Sequence, residues 1–354
     1  MGAEPANDCL EKFKNVVTPD AVISAGLEQS YMIAYRISRL MFTKYHPDLK
    51  YSRAYTGRFL SWTLIHELEF IAISSLSLNG WVGYDLGIHR GVIMSSKALK
   101  IHTMGKRENP VLLFLHAFPF SANMWNEQMQ HFSEQYYCVA PDLPGFGESA
   151  LPGFPVTFEH YVDAVLNYLK ESKIDRAVWC GLSMGGYLAL RMIERAPELC
   201  RALILCDTKG APDNNEAKIK RWDGIKALQN NRSEFVAKQW QTLVGETSRK
   251  NIQLKTRFEE LIAKVSDSGI SSGLVALATR TDSMQMLNKI RVSTLIIVGD
   301  EDKVTPRADA EALSENIAGA KLKTISHAGH ISNLENPASF NKIVVEFLST
   351  IKTK

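Results

Sequence analysis

Ala177-Val178-Trp179-Cys180-Gly181-Leu182-Ser183-Met184-Gly185-Gly186-Tyr187-Leu188-Ala189-Leu190-Arg191-Met192-Ile193 is the stretch on which the reading of this chain turns. Its first four residues form an apolar run of strand length, and the residues from Tyr187 onward place apolar side chains at helical spacing. Ser183 therefore falls between a buried strand and a helix. A chain that turns so sharply projects the serine hydroxyl beyond the end of the sheet, and small neighbours let backbone pass close to backbone. Gly181 and Gly185 meet that demand. A pattern this short arises by chance in a chain with 22 glycines among 354 residues, so its surroundings decide whether the turn is structural or chemical.

Those surroundings are regular. Short apolar runs recur at 111–115, 136–140, 202–206, 294–298 and 322–325, and a hairpin is expected over 92–103. Helix-like segments at 122–132, 158–171, 184–195, 308–317 and 338–351 separate most of them. This alternation predicts an α/β fold, a mostly parallel central sheet with helices on both faces. Between residues 207 and 291 the alternation stops. That interval is rich in Lys, Glu, Gln and Leu and too long for an irregular loop, so it reads as a helical insertion. Because it leaves one strand at its carboxyl end and returns before the next, it is expected to cover the strand ends as a cap. The predicted organisation is an N-terminal helical extension over 1–90, a core over 91–207 and 292–354, and a helical cap over 208–291. The extension carries no chemical motif, and one alternative reading starts the working protein at Met94 and leaves the extension dispensable.

Bulk properties exclude several function classes. Apolar residues make up 45% and charged residues 22%, a globular balance, and a formal charge of +3 with no basic run gives no nucleic-acid partner. Cys9, Cys138, Cys180, Cys200 and Cys206 are odd in number and lack Cys-x-x-Cys spacing, so they read as buried free thiols. With neither a basic start nor an apolar leader, the expected location is cytoplasmic. The apolar stretch 60–78 is broken by His66, Glu67 and Glu69, which argues against a stable membrane span. His102, His116, His131 and His160 are too scattered for a metal set, and no cofactor is expected.

A serine nucleophile needs a base to take its proton and a carboxylate to orient that base. Both are available downstream. Gly299-Asp300-Glu301-Asp302-Lys303-Val304-Thr305-Pro306 follows one apolar run with several carboxylates, and Ser326-His327-Ala328-Gly329-His330 follows the last with two imidazoles. From about residue 91 to the end, roughly three quarters of the chain, the sequence resembles the α/β-hydrolase superfamily. The resemblance rests on His116-Ala117-Phe118-Pro119, Asp142-Leu143-Pro144-Gly145-Phe146-Gly147-Glu148-Ser149, the serine turn, the Asp300–Asp302 turn, and Gly329-His330 with Glu335-Asn336-Pro337. Within the serine branch, Cys206-Asp207-Thr208-Lys209, Lys220-Arg221-Trp222 and Ala278-Thr279-Arg280-Thr281-Asp282-Ser283 look like enol-lactonase-like hydrolases and esterases.

The resemblance implies Ser183 as nucleophile, His330 as base and then acid, and Asp302 as the orienting carboxylate, with Asp207 and Asp300 as competing acids. It also implies an oxyanion hole of the Phe118 and Met184 N–H groups. Ala117 stands where the family pattern has glycine, so the loop must avoid a positive φ or be re-aimed. His116 reads as a brace and Gly145-Phe146-Gly147 as a turn. The expected partner is a small-molecule ester or lactone, cleaved through an acyl-enzyme. Carbon–carbon bond hydrolysis or cofactor-free perhydrolysis at the same site is the alternative chemistry, and a ligand receptor on the same fold is the non-enzymatic alternative. Lys209, Lys218, Lys220, Arg221 and Arg280 read as a solvated cap surface or as partners for a substrate carboxylate. The oligomeric state is not legible.

Overall fold

Among the residues described by the computed structural model, 99–351 apart from Pro155, seven strands form one sheet. They are β1 (Ile101–Met104), β2 (Val111–Leu115), β3 (Tyr137–Pro141), β4 (Ala177–Leu182), β5 (Cys200–Cys206), β6 (Ser293–Gly299) and β7 (Lys321–Ile325). Their spatial order is β1-β3-β2-β4-β5-β6-β7; β1 runs antiparallel to β3 and all other pairs are parallel. The expected N-terminal extension, the span 60–78 and most of the hairpin over 92–103 lie outside the described residues.

The helices that connect the strands are α1 (Asn126–Phe132), α2 (Phe158–Glu171) and α3 (Met184–Arg195), followed after β6 by α8 (Arg307–Asn316), α9 (Ser332–Glu335) and α10 (Pro337–Leu348). Between β5 and β6 lie α4 (Asn215–Asn230), α5 (Arg232–Leu243), α6 (Ile252–Ala263) and α7 (Asp267–Ala278). The absence of strand patterning between 207 and 291 is thus realised as four helices. Their starts are written in the sequence: Asn214, Asn231, Asn251 and Ser266 each accept a hydrogen bond from a backbone N–H in the first turn of the adjoining helix.

Two boundaries differ from expectation. The segment 122–132 is a 3-10 turn over Ala122–Trp125 before α1 begins. β4 runs two residues past the apolar run because parallel neighbours carry it onward, Gly181 pairing with Leu115 and Leu182 with Cys206.

β4 is buried along its whole length, as expected of a strand flanked by parallel neighbours. The chain leaves β2 to one side for β3 and then crosses to the other side of β2 for β4, so the winding reverses between β2 and β4. Such a switch point opens a crevice at the carboxyl ends of the strands. Ser183 follows β4 there.

The glycines around Ser183 are dictated by close approach. A Cβ at Gly181 would drive into the Gly185 carbonyl, and one at Gly185 would drive into the Leu115 carbonyl at the end of β2. Gly185→Ala is therefore expected to cost about 1–3 kcal/mol through overpacking, read as a lower urea midpoint. An unchanged midpoint would show that α3 can back away from β2.

Candidate active site

Ser183 occupies φ +52°, ψ −110°, a conformation that a side-chain-bearing residue keeps only when its surroundings enforce it. The enforcement comes from the end of β5 and the two residues after it. Ser183 N donates to Cys206 O at 2.9 Å, and Thr208 Oγ1 donates to Ser183 O at 2.9 Å. Gly186 and Tyr187 close the first turn of α3 by donating to the same Ser183 carbonyl. Ser183 Oγ is thereby presented beyond the sheet.

His330 meets it there. Its Nε2 lies 2.8 Å from Ser183 Oγ, and its Nδ1 lies 2.9 Å from Asp302 Oδ2. With Nδ1 protonated, the ring donates to the carboxylate and leaves Nε2 to accept from the serine. All three side chains are buried. Asp302 is held by the N–H groups of Val304 and Thr305 on Oδ1, at 2.8 and 3.0 Å, and by the Thr305 hydroxyl on Oδ2 at 2.8 Å. Thr305 Oγ1 also lies 3.2 Å from His330 Nδ1.

Charges follow from that geometry. Burial alone would raise the Asp302 carboxyl, but the His330 charge and the hydrogen bonds from His330 and Thr305 outweigh it and hold it below the usual carboxylate range. For His330, burial acts to lower the pKa, yet the charge and hydrogen bond of Asp302, then the charges of Asp207 and Glu335, raise it above its ordinary value. The pair thus favours an ionised acid beside an imidazole that gains a proton readily.

The competing residues lie elsewhere. Asp300 is exposed at the turn and its Oδ1 is 3.4 Å from Ala328 N. His327 is an exposed loop residue at φ +58°. Asp207 is fully buried, but its carboxylate is bonded to Gly299 N and to Ser332.

Met184 is the first residue of α3, so its N–H lies outside the intrahelical ladder and at the positive end of the helix dipole. Phe118 lies in the loop after β2, joined to Pro119 by a cis peptide bond. Ala117 is absent from the residues with positive φ, so the loop turns within the region an L-residue allows, and Phe120 N closes it by donating to Ala117 O at 2.9 Å. His116 braces this loop: its Nε2 accepts from Leu143 N at 3.0 Å, and its Nδ1 is placed to donate to Ala117 O at 3.1 Å. Both bonds require a neutral ring, and burial lowers its pKa to about 4.

The helical insertion rests on the same loops. Gly269 packs against the Gly145 carbonyl, and Gly273 packs against the Phe118 and Phe146 rings, where a Cβ would collide. Leu243 O accepts from His330 N at 2.8 Å, and Glu335 accepts from Gly329 N and Gly245 N at 2.9 Å each. Glu335, Ser332 and Thr305 thus support the His330 loop and the Asp302 turn, roles that side-chain type alone does not announce.

One expectation about cations is corrected. Arg280, with only 3% of its side chain exposed, donates to Asp213 Oδ1 and to Ala211 O and lies 4.2 Å above the Tyr187 ring. Arg221 donates to the other Asp213 oxygen at 3.0 Å. Arg280 does not belong to a solvated surface, because a buried guanidinium needs a carboxylate, while Arg221, with 27% of its side chain exposed, is only partly withdrawn onto the same Asp213. Lys218 and Lys220 remain exposed.

No single helix among the described residues is long and apolar enough to cross a membrane. Comparison with known proteins agrees with this architecture. A 3-oxoadipate enol-lactonase of Acinetobacter baylyi is 28% identical over 257 residues, spanning 70% of this chain and 91% of its own. A thermophilic esterase of Thermogutta terrifontis, solved with malate bound, superposes with a TM-score of 0.68 at 26% identity, covering 72% of this chain and 93% of its own. The enol-lactonase of Burkholderia xenovorans superposes with a TM-score of 0.66 at 26% identity, covering 71% and 96%. With residues 110–337 matching the alpha/beta hydrolase fold model and a reversing parallel sheet behind Ser183, the chain belongs to the α/β-hydrolase family.

Proposed function

We propose that the chain is a serine hydrolase that cleaves a carboxylic ester or lactone of small to medium size through an acyl-enzyme. The observation that carries this reading is the continuous hydrogen-bonded path from Ser183 Oγ through both ring nitrogens of His330 to Asp302. Relatives named as enol-lactonases and as an esterase support the ester or lactone class.

In this reading Ser183 Oγ attacks the carbonyl carbon while its proton passes to His330 Nε2. Asp302 holds the ring in the tautomer that can accept, and its charge stabilises the imidazolium. The carbonyl oxygen becomes an oxyanion that accepts hydrogen bonds from the Phe118 and Met184 N–H groups, which need no reorganisation as charge develops. Collapse breaks the carbon–oxygen bond, and the departing alkoxide takes the proton from His330. Water then attacks the acyl-enzyme, giving its proton to His330, and the acid leaves as Ser183 regains its hydrogen. From a lactone the alkoxide stays tethered to the acyl group, so one hydroxy acid forms. The insertion acts as the cap: α7 forms the wall over Phe118, so the room above the oxyanion loop sets which acyl group fits.

Ser183→Ala is expected to lower kcat/KM on p-nitrophenyl butyrate by at least about 10³-fold while the melting temperature stays near that of the parent. Undiminished turnover would remove Ser183 from the mechanism. Carbon–carbon cleavage of a vinylogous diketone, with no turnover of esters or lactones, would favour the alternative chemistry.

His330 must be neutral to accept the serine proton, and its pKa is raised, so activity is lost as pH falls. The midpoint of the acid limb of kcat/KM is expected above 6.5, the ordinary imidazole value. Asp302→Asn should move that midpoint down and cut kcat by roughly 10³- to 10⁴-fold. An unmoved midpoint in Asp302→Asn would mean that another group holds the imidazole.

A further inference from the structure

Asp207, the residue directly after β5, is fully buried and stands at φ +45°. Aspartate adopts a positive φ more readily than most side-chain-bearing residues, and here neighbours fix it as well. Its N–H donates to Ile297 O in β6 at 2.8 Å. Oδ1 accepts from Gly299 N at 2.9 Å, and Oδ2 accepts from the Ser332 hydroxyl at 2.6 Å and from Ser332 N at 3.2 Å.

The two ends of this bridge are the roots of two different segments. Gly299 ends β6 and accepts from Asp302 N at 3.2 Å, so it begins the turn that presents the acid. Ser332 opens α9, two residues after His330. One carboxylate therefore spans the segments that carry the acid and the base. Its sequence neighbours hold the third: Cys206 O accepts from Ser183 N, and the Thr208 hydroxyl donates to Ser183 O. Residues 206–208 are the single stretch of chain bonded to all three segments among the described residues.

The charge on this bridge matters as well as its shape. The charged groups facing Asp207 are Asp302, from the turn after β6, and His330, from the loop after β7. Ser332 faces it from α9 and the Gly299 N–H from β6, while the Cys206 thiol beside it is kept neutral by burial. Glu335 acts on His330 from the far end of α9.

We propose that Asp207 is a positioning residue for His330: its carboxylate locks the base loop to the acid turn, and its ionised form adds a second negative charge to the surroundings of the imidazolium formed in turnover. The proposal rests on the catalytic roles proposed for Ser183, His330 and Asp302. Burial, and after it the charge of Asp302, push the Asp207 carboxyl up to about 8. Below that value it carries a proton. Above that value it is ionised, and the Ser332 hydroxyl and N–H donate to it. As His330 takes the serine proton, its positive charge favours the ionised state of Asp207. Two titrations then govern the rate, the imidazole losing its proton and Asp207 losing its own, and the rate rises through both.

The test is the pH dependence of p-nitrophenyl butyrate hydrolysis by the full chain between pH 5.5 and 9.5, with a melting curve for each variant. The parent enzyme is expected to show an imidazole limb and a second rise near pH 8. Asp207→Asn, close to the carboxylate in shape, should lower kcat by roughly 10- to 100-fold with KM within about two-fold. Its second rise should be gone.

Ser332→Ala leaves Asp207 in place but removes the donor that favours its ionised form. It should fold even if Asp207→Asn does not, and it should shift the second rise upward by about half a pH unit or more. A parent profile without the second rise, an Asp207→Asn profile that keeps it, or an unmoved rise in Ser332→Ala would overturn the proposal. Ser183→Ala, run alongside, separates this failure from that of the underlying reading: activity surviving in Ser183→Ala would sink the serine mechanism itself, whatever Asp207 does.

Discussion

The turn at Ser183 is the constraint on which the other parts depend. A side-chain-bearing residue at φ +52° is held in place by backbone packed so closely that neither Gly181 nor Gly185 has room for a Cβ. The carbonyl that blocks Gly185 belongs to Leu115 of β2, the strand beside β4 at the switch point of the sheet. The same contact that strains the serine therefore brings the start of α3 against the end of β2. The loop carrying Phe118 begins directly after Leu115, and Met184 opens α3, so both N–H groups proposed for the oxyanion belong to backbone that adjoins this contact. In this sense the proposed oxyanion site is a by-product of close packing.

Around that turn, the remaining groups are fixed by redundancy rather than by any one bond. Asp302 receives two backbone donors and one hydroxyl before it meets His330. The His330 loop is tied to Asp207 through Ser332, to Glu335 through Gly329, and to the insertion through Leu243. Of the three carboxyls that share this region, only Asp302 is held below its usual range; burial outweighs the donors at Asp207 and Glu335 and raises both. The insertion is part of the same network. Its Gly269 and Gly273 lie against Gly145 and the Phe118 and Phe146 rings, so a shift of the insertion would be felt at the Phe118 loop.

Much of this is legible in the sequence. Strand-length apolar runs and helical spacing identify six of the sheet strands and their order along the chain, because each β-α unit signs its own boundaries with glycine, proline or a capping residue. Asn214, Asn231, Asn251 and Ser266 likewise mark the insertion helices. Ser183, Asp302 and His330 stand out as residue types placed at strand ends, and the structure brings them together. What stays hidden depends on distance in sequence. Asp207 and Ser332 are 125 residues apart, and Arg280 and Asp213 are 67 apart, so nothing local distinguishes a bridging aspartate from a solvated one or a buried arginine from a surface one. The Ala117 position is a case of the opposite kind: a departure from the glycine pattern that the loop absorbs without a positive φ.

The central claim is that Ser183 is the group that becomes acylated, and covalent trapping tests it most directly. The full chain would be treated with an alkyl fluorophosphonate, whose phosphorus is attacked by an activated serine with loss of fluoride, then digested and mapped by mass spectrometry. One adduct per chain is expected on the Ser183 hydroxyl, with ester hydrolysis lost in proportion to labelling. Complete inactivation with the adduct on another residue, or full labelling of Ser183 with activity intact, would contradict it.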